Sequence, residues 1–152
     1  MVALDKKVPD FAAPATGGTF KLSAQRGHPV VLYFYPKDDT PGCTMEGAQF
    51  RDLHKQFAKA GAVIVGISRD SLKSHESFKA KMAFPFELVS DADEKLCSEF
   101  DVIKMKNMYG RKMRGIERST FVIDAKGTLV REWRKVKVPG HAEAVLEVVK
   151  AL

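Results

Sequence analysis

The sequence predicts a single α/β domain over residues 1–152, with a central mixed sheet and helices on both faces. Two continuous apolar, β-branched runs, residues 30–35 and 62–67, have the composition of strands buried on both sides of a sheet. Helical patterns separate and follow them. The bulk composition agrees: 45% hydrophobic and 29% charged residues are ordinary for a globular domain. A chain of this size buries roughly 70% of its unfolded surface without needing a disulfide or a metal. Disordered, collagen-like and disulfide-stapled classes are thereby excluded, and two cysteines cannot build a four-thiolate zinc site. No apolar run approaches the roughly 18 residues of a membrane span. The first ten residues hold no apolar signal core, so a cytoplasmic, reducing setting is expected.

The first run, Val-Val-Leu-Tyr-Phe-Tyr, ends at Pro36, and Lys-Asp-Asp-Thr-Pro-Gly over 37–42 is turn chemistry. From Cys43 the pattern becomes helical, with Met45, Phe50, Leu53, Phe57 and Ala58 recurring up to about residue 60, where Gly61 supplies a C-terminal cap. After the second strand, residues 71–82 read as a helix with Ser71 as N-cap. Residues 86–89 read as a short strand, and 91–100 as a short helix capped by Asp91 or Asp93. Residues 105–114 read as a basic loop rich in Gly and Met. Residues 120–124 and 129–133 flank Ala-Lys-Gly, a hairpin signature. Residues 141–152 form an amphipathic closing helix, with Ala144, Val145, Val148, Val149 and Leu152 on one face. This order of elements is compatible with a thioredoxin-like fold.

The formal charge of +6 is concentrated in one stretch. Residues 104–137 hold eleven basic and three acidic residues, while the remainder is slightly acidic. Only Tyr109 and Trp133 lie near the basic clusters, and no nucleic-acid motif accompanies them. The stretch therefore reads as a solvated basic face rather than a nucleic-acid site.

Cys43 stands where a buried strand and a Pro/Gly turn lead into a helix. Peptide dipoles and unpaired N–H groups at a helix N-terminus favour an anion there, and the thiolate is the nucleophilic form of cysteine. A buried structural cysteine is the alternative that position alone leaves open.

The surrounding residues bear on that choice. Pro36, Thr40 and Cys43 form Pro-x-x-x-Thr-x-x-Cys, which resembles the active-site motif of the peroxiredoxins. The longer string Tyr-Phe-Tyr-Pro-Lys-Asp-Asp-Thr-Pro-Gly-Cys-Thr over 33–44, with Glu46, is similar to the peroxiredoxin Q subfamily, also called bacterioferritin comigratory protein. Matches continue at Pro9-Asp10-Phe11, Gly66-Ile67-Ser68, Leu88-Val89-Ser90-Asp91 and Glu117-Arg118-Ser119-Thr120-Phe121. The resemblance implies a peroxidase in which Cys43 attacks the O–O bond of a hydroperoxide and becomes a sulfenic acid. Thr40 would hydrogen-bond the thiolate and orient the peroxide. Arg118 would stabilise the thiolate and the oxyanion developing on the leaving oxygen. The Cys43 N–H would donate to the same place, and Pro36 would shield the sulfur. Glu46 either orients the loop or Arg118, or is simply an acid favoured by the helix dipole. Without the motif, Arg118 would read as one more surface arginine.

The sequence departs from the family in its second cysteine. Relatives carry a resolving cysteine at the position of Ala48 or of Lys79, and neither is a cysteine here. Cys97 lies 54 residues after Cys43 and shares an apolar face with Leu96 and Phe100, so it reads as a small buried hydrophobe rather than a resolving thiol. A one-cysteine mechanism is expected. An external thiol system, thioredoxin or glutaredoxin with glutathione, would then reduce the sulfenic acid. A two-cysteine cycle through Cys97, and a peroxide sensor without turnover, are the competing readings. A thioredoxin-type oxidoreductase is excluded because Glu46 stands where its second cysteine would be. The resemblance implies a monomer, and no cofactor or metal is expected. The four histidines, His28, His54, His75 and His141, lack metal-ligand spacing and read as surface residues. Met105, Met108 and Met113 either wall a pocket near Arg118 or only fill space. Trp133 reads as sheet packing.

Overall fold

The computed structural model describes residues 1–152, except for the side chain of Met108. In chain order the elements begin with strands β1 (Ala12–Ala15) and β2 (Gly18–Lys21), a 3-10 turn over Leu22–Gln25, β3 (Val30–Phe34), α1 (Pro41–Lys59), β4 (Val63–Ser68) and α2 (Leu72–Met82). There follow β5 (Glu87–Ser90), α3 (Lys95–Glu99), β6 (Ile103–Met108), β7 (Arg111–Ile116), β8 (Ser119–Ile123), β9 (Leu129–Trp133) and α4 (His141–Lys150). Seven strands make one mixed sheet in the order β2-β1-β5-β4-β3-β8-β9. The β3, β4 and β5 neighbours are parallel, and the other pairings are antiparallel.

The alternation of β3 separates two cores. Val30, Leu32 and Phe34 point to one face, with Leu96, Cys97 and Phe100 around α3 and Ala13, Ala15 and Phe20 of the first hairpin. Val31, Tyr33 and Tyr35 point to the other, with Phe50 and Phe57 of α1, Phe78 of α2, and Ala142 and Val145 of α4. Helices therefore cover both faces, as expected, because a strand of consecutive apolar residues must be sheltered on both sides.

Three local readings change. The basic segment 105–114 is a hairpin rather than a loop: β6 and β7 pair in register from Ile103 opposite Ile116 to Met108 opposite Arg111. Its two-residue turn, Tyr109-Gly110, has positive φ at both positions, 53° and 77°. That is the geometry of a primed hairpin turn, which usually takes Asn or Asp where Tyr109 stands. The helix expected over 91–100 is shorter. Glu94 is left-handed at φ 61°, and Asp91 caps from a distance, its carboxylate accepting from the Leu96 and Cys97 N–H groups at 3.0 and 2.8 Å. The hairpin β1–β2 was not anticipated. Pro14 is tolerated in β1 because β1 meets β5 only through Ala15 opposite Val89.

Candidate active site

The turn after β3 delivers Cys43 into the first turn of α1. Thr40 is the N-cap in an extended conformation (φ −95°, ψ 156°) and Pro41 follows at the first helical position. Proline is favoured there because its missing N–H has no intrahelical partner in any case. The helix thus begins two residues earlier than its apolar pattern, and the Cys43 N–H is one of its unbonded first-turn donors. The side chain is 2% exposed and packs with Tyr33, Tyr35 and Phe50.

Arg118 reaches this point through sheet pairing. β8 runs antiparallel to β3 with Ser119 opposite Phe34, so the residue before β8 sits at the end of β3 where α1 begins. Its guanidinium makes two contacts. Nη2 donates to Cys43 Sγ at 3.3 Å, and Nη1 donates to Glu46 Oε1 at 2.6 Å. A Cβ on Gly42 would stand 3.1 Å from Arg118 Nη2, so the glycine before Cys43 leaves room for the cation. Sequence reasoning passed over Gly42, although its place next to the cysteine was the available signal.

Glu46 is 1% exposed. Burial pushes its carboxyl up to about 7, with Arg118 opposing part of that rise. Its second oxygen, Oε2, and the buried Tyr33 hydroxyl have no partner among the described residues. The Arg118 guanidinium loses solvation, but Glu46 and Cys43 more than compensate and hold it as a cation. Next to the helix N-terminus, that cation sets positive charge beside the sulfur. Thr40 departs from expectation in its donor: Oγ1 donates to the Lys37 carbonyl at 2.8 Å rather than to the sulfur. With its one proton committed, the hydroxyl offers only lone pairs to a ligand. Pro36 lies half-buried between β3 and this turn.

The AhpC/TSA family model matches residues 4–132. Peroxiredoxin Bcp of Xanthomonas campestris is 59% identical over 93% of this chain and 89% of its own length. The chain is a peroxiredoxin of the AhpC/TSA family. Peroxiredoxin Bcp of Bacillus subtilis is 49% identical over 98% of the chain and 96% of its own. Among solved structures, the X. campestris bacterioferritin comigratory protein, studied for alkyl peroxide reduction, superposes with a TM-score of 0.88 at 57% identity, covering 93% of this chain and 90% of that one. A cysteine-to-serine variant of Xylella fastidiosa peroxiredoxin Q gives 0.94 at 47% identity, covering 99% and 97%. The fold is thioredoxin-like, and the peroxiredoxin is a peroxidase of the peroxiredoxin Q and Bcp group.

The second thiol of this peroxiredoxin stands apart from the first. Both cysteines are free, but Cys43 belongs to the α1 face of the sheet and Cys97, 0% exposed, to the α3 face. Burial pushes the Cys97 thiol far above its ordinary range, and the adjacent Asp91 carboxylate pushes it further. At the two positions where the resemblance implies a resolving cysteine, Ala48 lies half-buried in α1, and Lys79 of α2 binds Glu87 at 2.7 Å.

The histidine expectation holds for exposed His28 and half-buried His54 and fails for two others. His141 is buried at the start of α4, where Nε2 lies 2.8 Å from Thr120 Oγ1. Burial, with Arg118 nearby, lowers its titration to about 4. His75 is completely buried in α2. Met105 and Met113 are exposed on the hairpin, and Met108 lies outside the described side chains. Trp133 packs edge-on against His141, with Arg131 5.0 Å above its ring.

Proposed function

We propose that Cys43 is the peroxidatic residue and that the enzyme resolves its sulfenic acid through an external thiol. The thiolate attacks the terminal oxygen of RO–OH. The S–O bond forms as the O–O bond breaks, leaving Cys43 as a sulfenic acid and RO⁻ as the leaving group, which takes up a proton as water or alcohol. Arg118 stabilises the thiolate before the attack and RO⁻ after it. A preorganised cation in a site closed to water stabilises charge without reorganising during the reaction. The Thr40 lone pairs accept the peroxide O–H and the Cys43 N–H donates to its oxygen, which aligns O–O with the sulfur. Pro36 shields the sulfur. Glu46 orients the guanidinium.

The observation that carries this reading is the Arg118 fork, bonded to Sγ and to a buried carboxylate at once. A one-cysteine cycle is supported by the sheet between Cys43 and Cys97 and by the suppressed acidity of Cys97. The reducing thiol attacks the sulfenic sulfur, expels water and leaves a mixed disulfide, which a second thiol cleaves. Thioredoxin, or glutaredoxin with glutathione, fits that role. Two free cysteines suit a reducing, cytoplasmic setting, and one chain supplies every residue of the site, which suits a monomer.

The test is a steady-state peroxidase assay with thioredoxin and glutaredoxin systems in parallel, on wild type, Cys43→Ser and Cys97→Ser. Loss of activity only in Cys43→Ser is expected. Activity surviving in Cys43→Ser refutes the peroxidatic assignment. After one equivalent of peroxide, an intact-mass loss of two hydrogens that Cys97→Ser abolishes would establish a two-cysteine cycle instead.

A further inference from the structure

Six polar side chains gather beside the active-site turn and take no part in the chemistry above: His75, Asp38, Tyr35 and Ser68 are buried, and Ser74 and Asp70 are half-buried. His75 of α2 is 0% exposed, and both of its ring nitrogens face acceptors. Nδ1 lies 2.7 Å from Asp38 Oδ2, and Nε2 lies 2.9 Å from the Val89 carbonyl of β5. A carbonyl can only accept, so Nε2 carries a proton. Asp38 Oδ2 also accepts from Ser74 Oγ at 2.7 Å, and Oδ1 accepts from the Tyr35 hydroxyl at 2.6 Å. Burial raises the Asp38 carboxyl, but the bonds from His75 and Tyr35 outweigh it and leave the group below the ordinary carboxylate range. Nδ1 faces the same carboxylate that the Tyr35 and Ser74 hydroxyls donate to, which is the environment of a ring donating from both of its nitrogens.

Asp38 sits in the middle of the turn that runs from Pro36 to the Thr40 cap. Its N–H donates to Asp70 Oδ2 at 2.9 Å, and Ser68 Oγ donates to the same oxygen at 2.6 Å. The ligand atoms of Asp38, Asp70 and His75 lie within 4.8 Å of one another. Each is already committed to hydrogen bonds, which marks a structural clamp rather than a cation site. The next residue, Asp39, is left-handed at φ 57°, a conformation unfavourable for a non-glycine residue that persists only where its surroundings hold it. Lys81 at the far end of α2 grips its side chain at 2.8 Å. The turn that carries Thr40 to Cys43 is thus held against α2 and the β4–α2 connection by charge.

We propose that His75 is a positioning residue for peroxide reduction, a buried imidazolium that fixes Asp38 and through it the turn from Pro36 to Thr40. No peroxide touches it. The charged groups facing it are Asp38 from the turn and Asp70 from the β4–α2 connection, with the Tyr35 hydroxyl at the end of β3. Removing the cation leaves the Asp38 carboxylate buried without its counter-charge, and a buried charge losing its partner is strongly unfavourable. The turn then relaxes and the Thr40 lone pairs move away from the attack line. The Arg118 contact with Cys43 persists, because β8 supplies it independently.

The proposal rests on Cys43 as the peroxidatic residue, and two measurements separate its failure from a failure of that assignment. The first uses the full-length wild-type protein, labelled with nitrogen-15. Histidine side-chain spectra at neutral pH show both His75 nitrogens protonated, and a neutral ring overturns the proposal whatever Cys43 does. The second uses His75→Gln, whose neutral amide can donate from its one nitrogen but carries no charge. Its second-order rate with hydrogen peroxide falls about tenfold or more, as small displacements of reacting groups cost that much. Its alkylation by iodoacetamide, which needs the thiolate but no aligned peroxide, is unchanged or faster. A peroxide rate within about twofold of wild type, or equal losses in both reactions, overturns the proposal. His75→Lys, which restores the cation, recovers part of the peroxide rate, and a value at or below that of His75→Gln counts against the role of charge.

Discussion

Arg118→Lys tests whether the fork, and not merely the charge, does the work. The guanidinium presents Nη2 to Cys43 Sγ at 3.3 Å and Nη1 to Glu46 Oε1 at 2.6 Å from one rigid plane. A lysine ammonium is a single point on a flexible stem and cannot occupy both positions. It will settle on one anion, and buried Glu46, with only one oxygen bonded, is the stronger competitor for it. The sulfur then loses a charge-assisted hydrogen bond worth about 1.5–3 kcal/mol. At about 1.4 kcal/mol per factor of ten, the rate of Cys43 oxidation falls roughly 10- to 100-fold. Arg118→Gln loses the cation as well and falls further, on the order of 100- to 1,000-fold, as removal of an oxyanion donor does elsewhere. The assay is single-turnover loss of hydrogen peroxide at equal enzyme, with circular dichroism to establish folding. An Arg118→Lys enzyme within about twofold of wild type would show that point charge suffices and would refute the fork argument.

Two further perturbations follow from the same geometry. Burial raises the Glu46 carboxyl from its ordinary 4.5 to about 7, so the folded protein holds a proton that the unfolded chain releases over that interval. The stability this supplies is complete below pH of about 4.5 and is lost as pH rises through about 7. Glu46→Gln removes that slope, and urea midpoints at pH 5 and 8 should differ less in the variant than in wild type; parallel changes would contradict the burial argument. Gly47→Ala puts a Cβ 2.4 Å from Phe84 Cζ, where α1 passes closest to the ring. Overpacking costs about 1–3 kcal/mol against roughly 1 kcal/mol of helix propensity regained, so a lower melting temperature is expected, and a higher one would show that Phe84 yields freely.

The central strands were legible because burial on both faces writes itself into a sequence as an unbroken apolar run, and Val30–Phe34 carries one. The hairpin β6–β7 was not, because among its described residues only Ile103 and Ile116 at its base meet the core, and its turn sets Tyr109, rather than an asparagine, in the left-handed region. Cys43, Thr40 and Arg118 were named together only through the motif. Spacing alone cannot show that antiparallel pairing of β8 with β3 closes a separation of 75 residues. His75 read as a surface residue because its flanking residues are polar. A weak signal existed: Leu72, His75, Phe78 and Met82 share one stripe of α2, and His75 stands where an apolar residue would be expected.

The proposed one-cysteine cycle has a physical reason to leave the second cysteine out. A resolving thiol must reach the peroxidatic sulfur and must ionise to attack it. Cys97 meets neither requirement. β3 and its neighbours separate it from Cys43, and Asp91, whose carboxylate caps α3, discourages the Cys97 thiolate. To move Cys97 to the other face, the protein would have to give up that cap and the core around Phe100 and Phe121, whose rings lie 4.9 Å apart. Opening the Cys43 side requires only the first turn of α1 and the turn before it to loosen. Asp38 and His75 grip that turn, so the clamp proposed to align the peroxide would also govern how readily a sulfenic acid on Cys43 meets its reductant. A variant with the clamp weakened should therefore oxidise more slowly and be reduced faster by the same thiol, a pairing of opposite effects that general destabilisation of the fold does not produce.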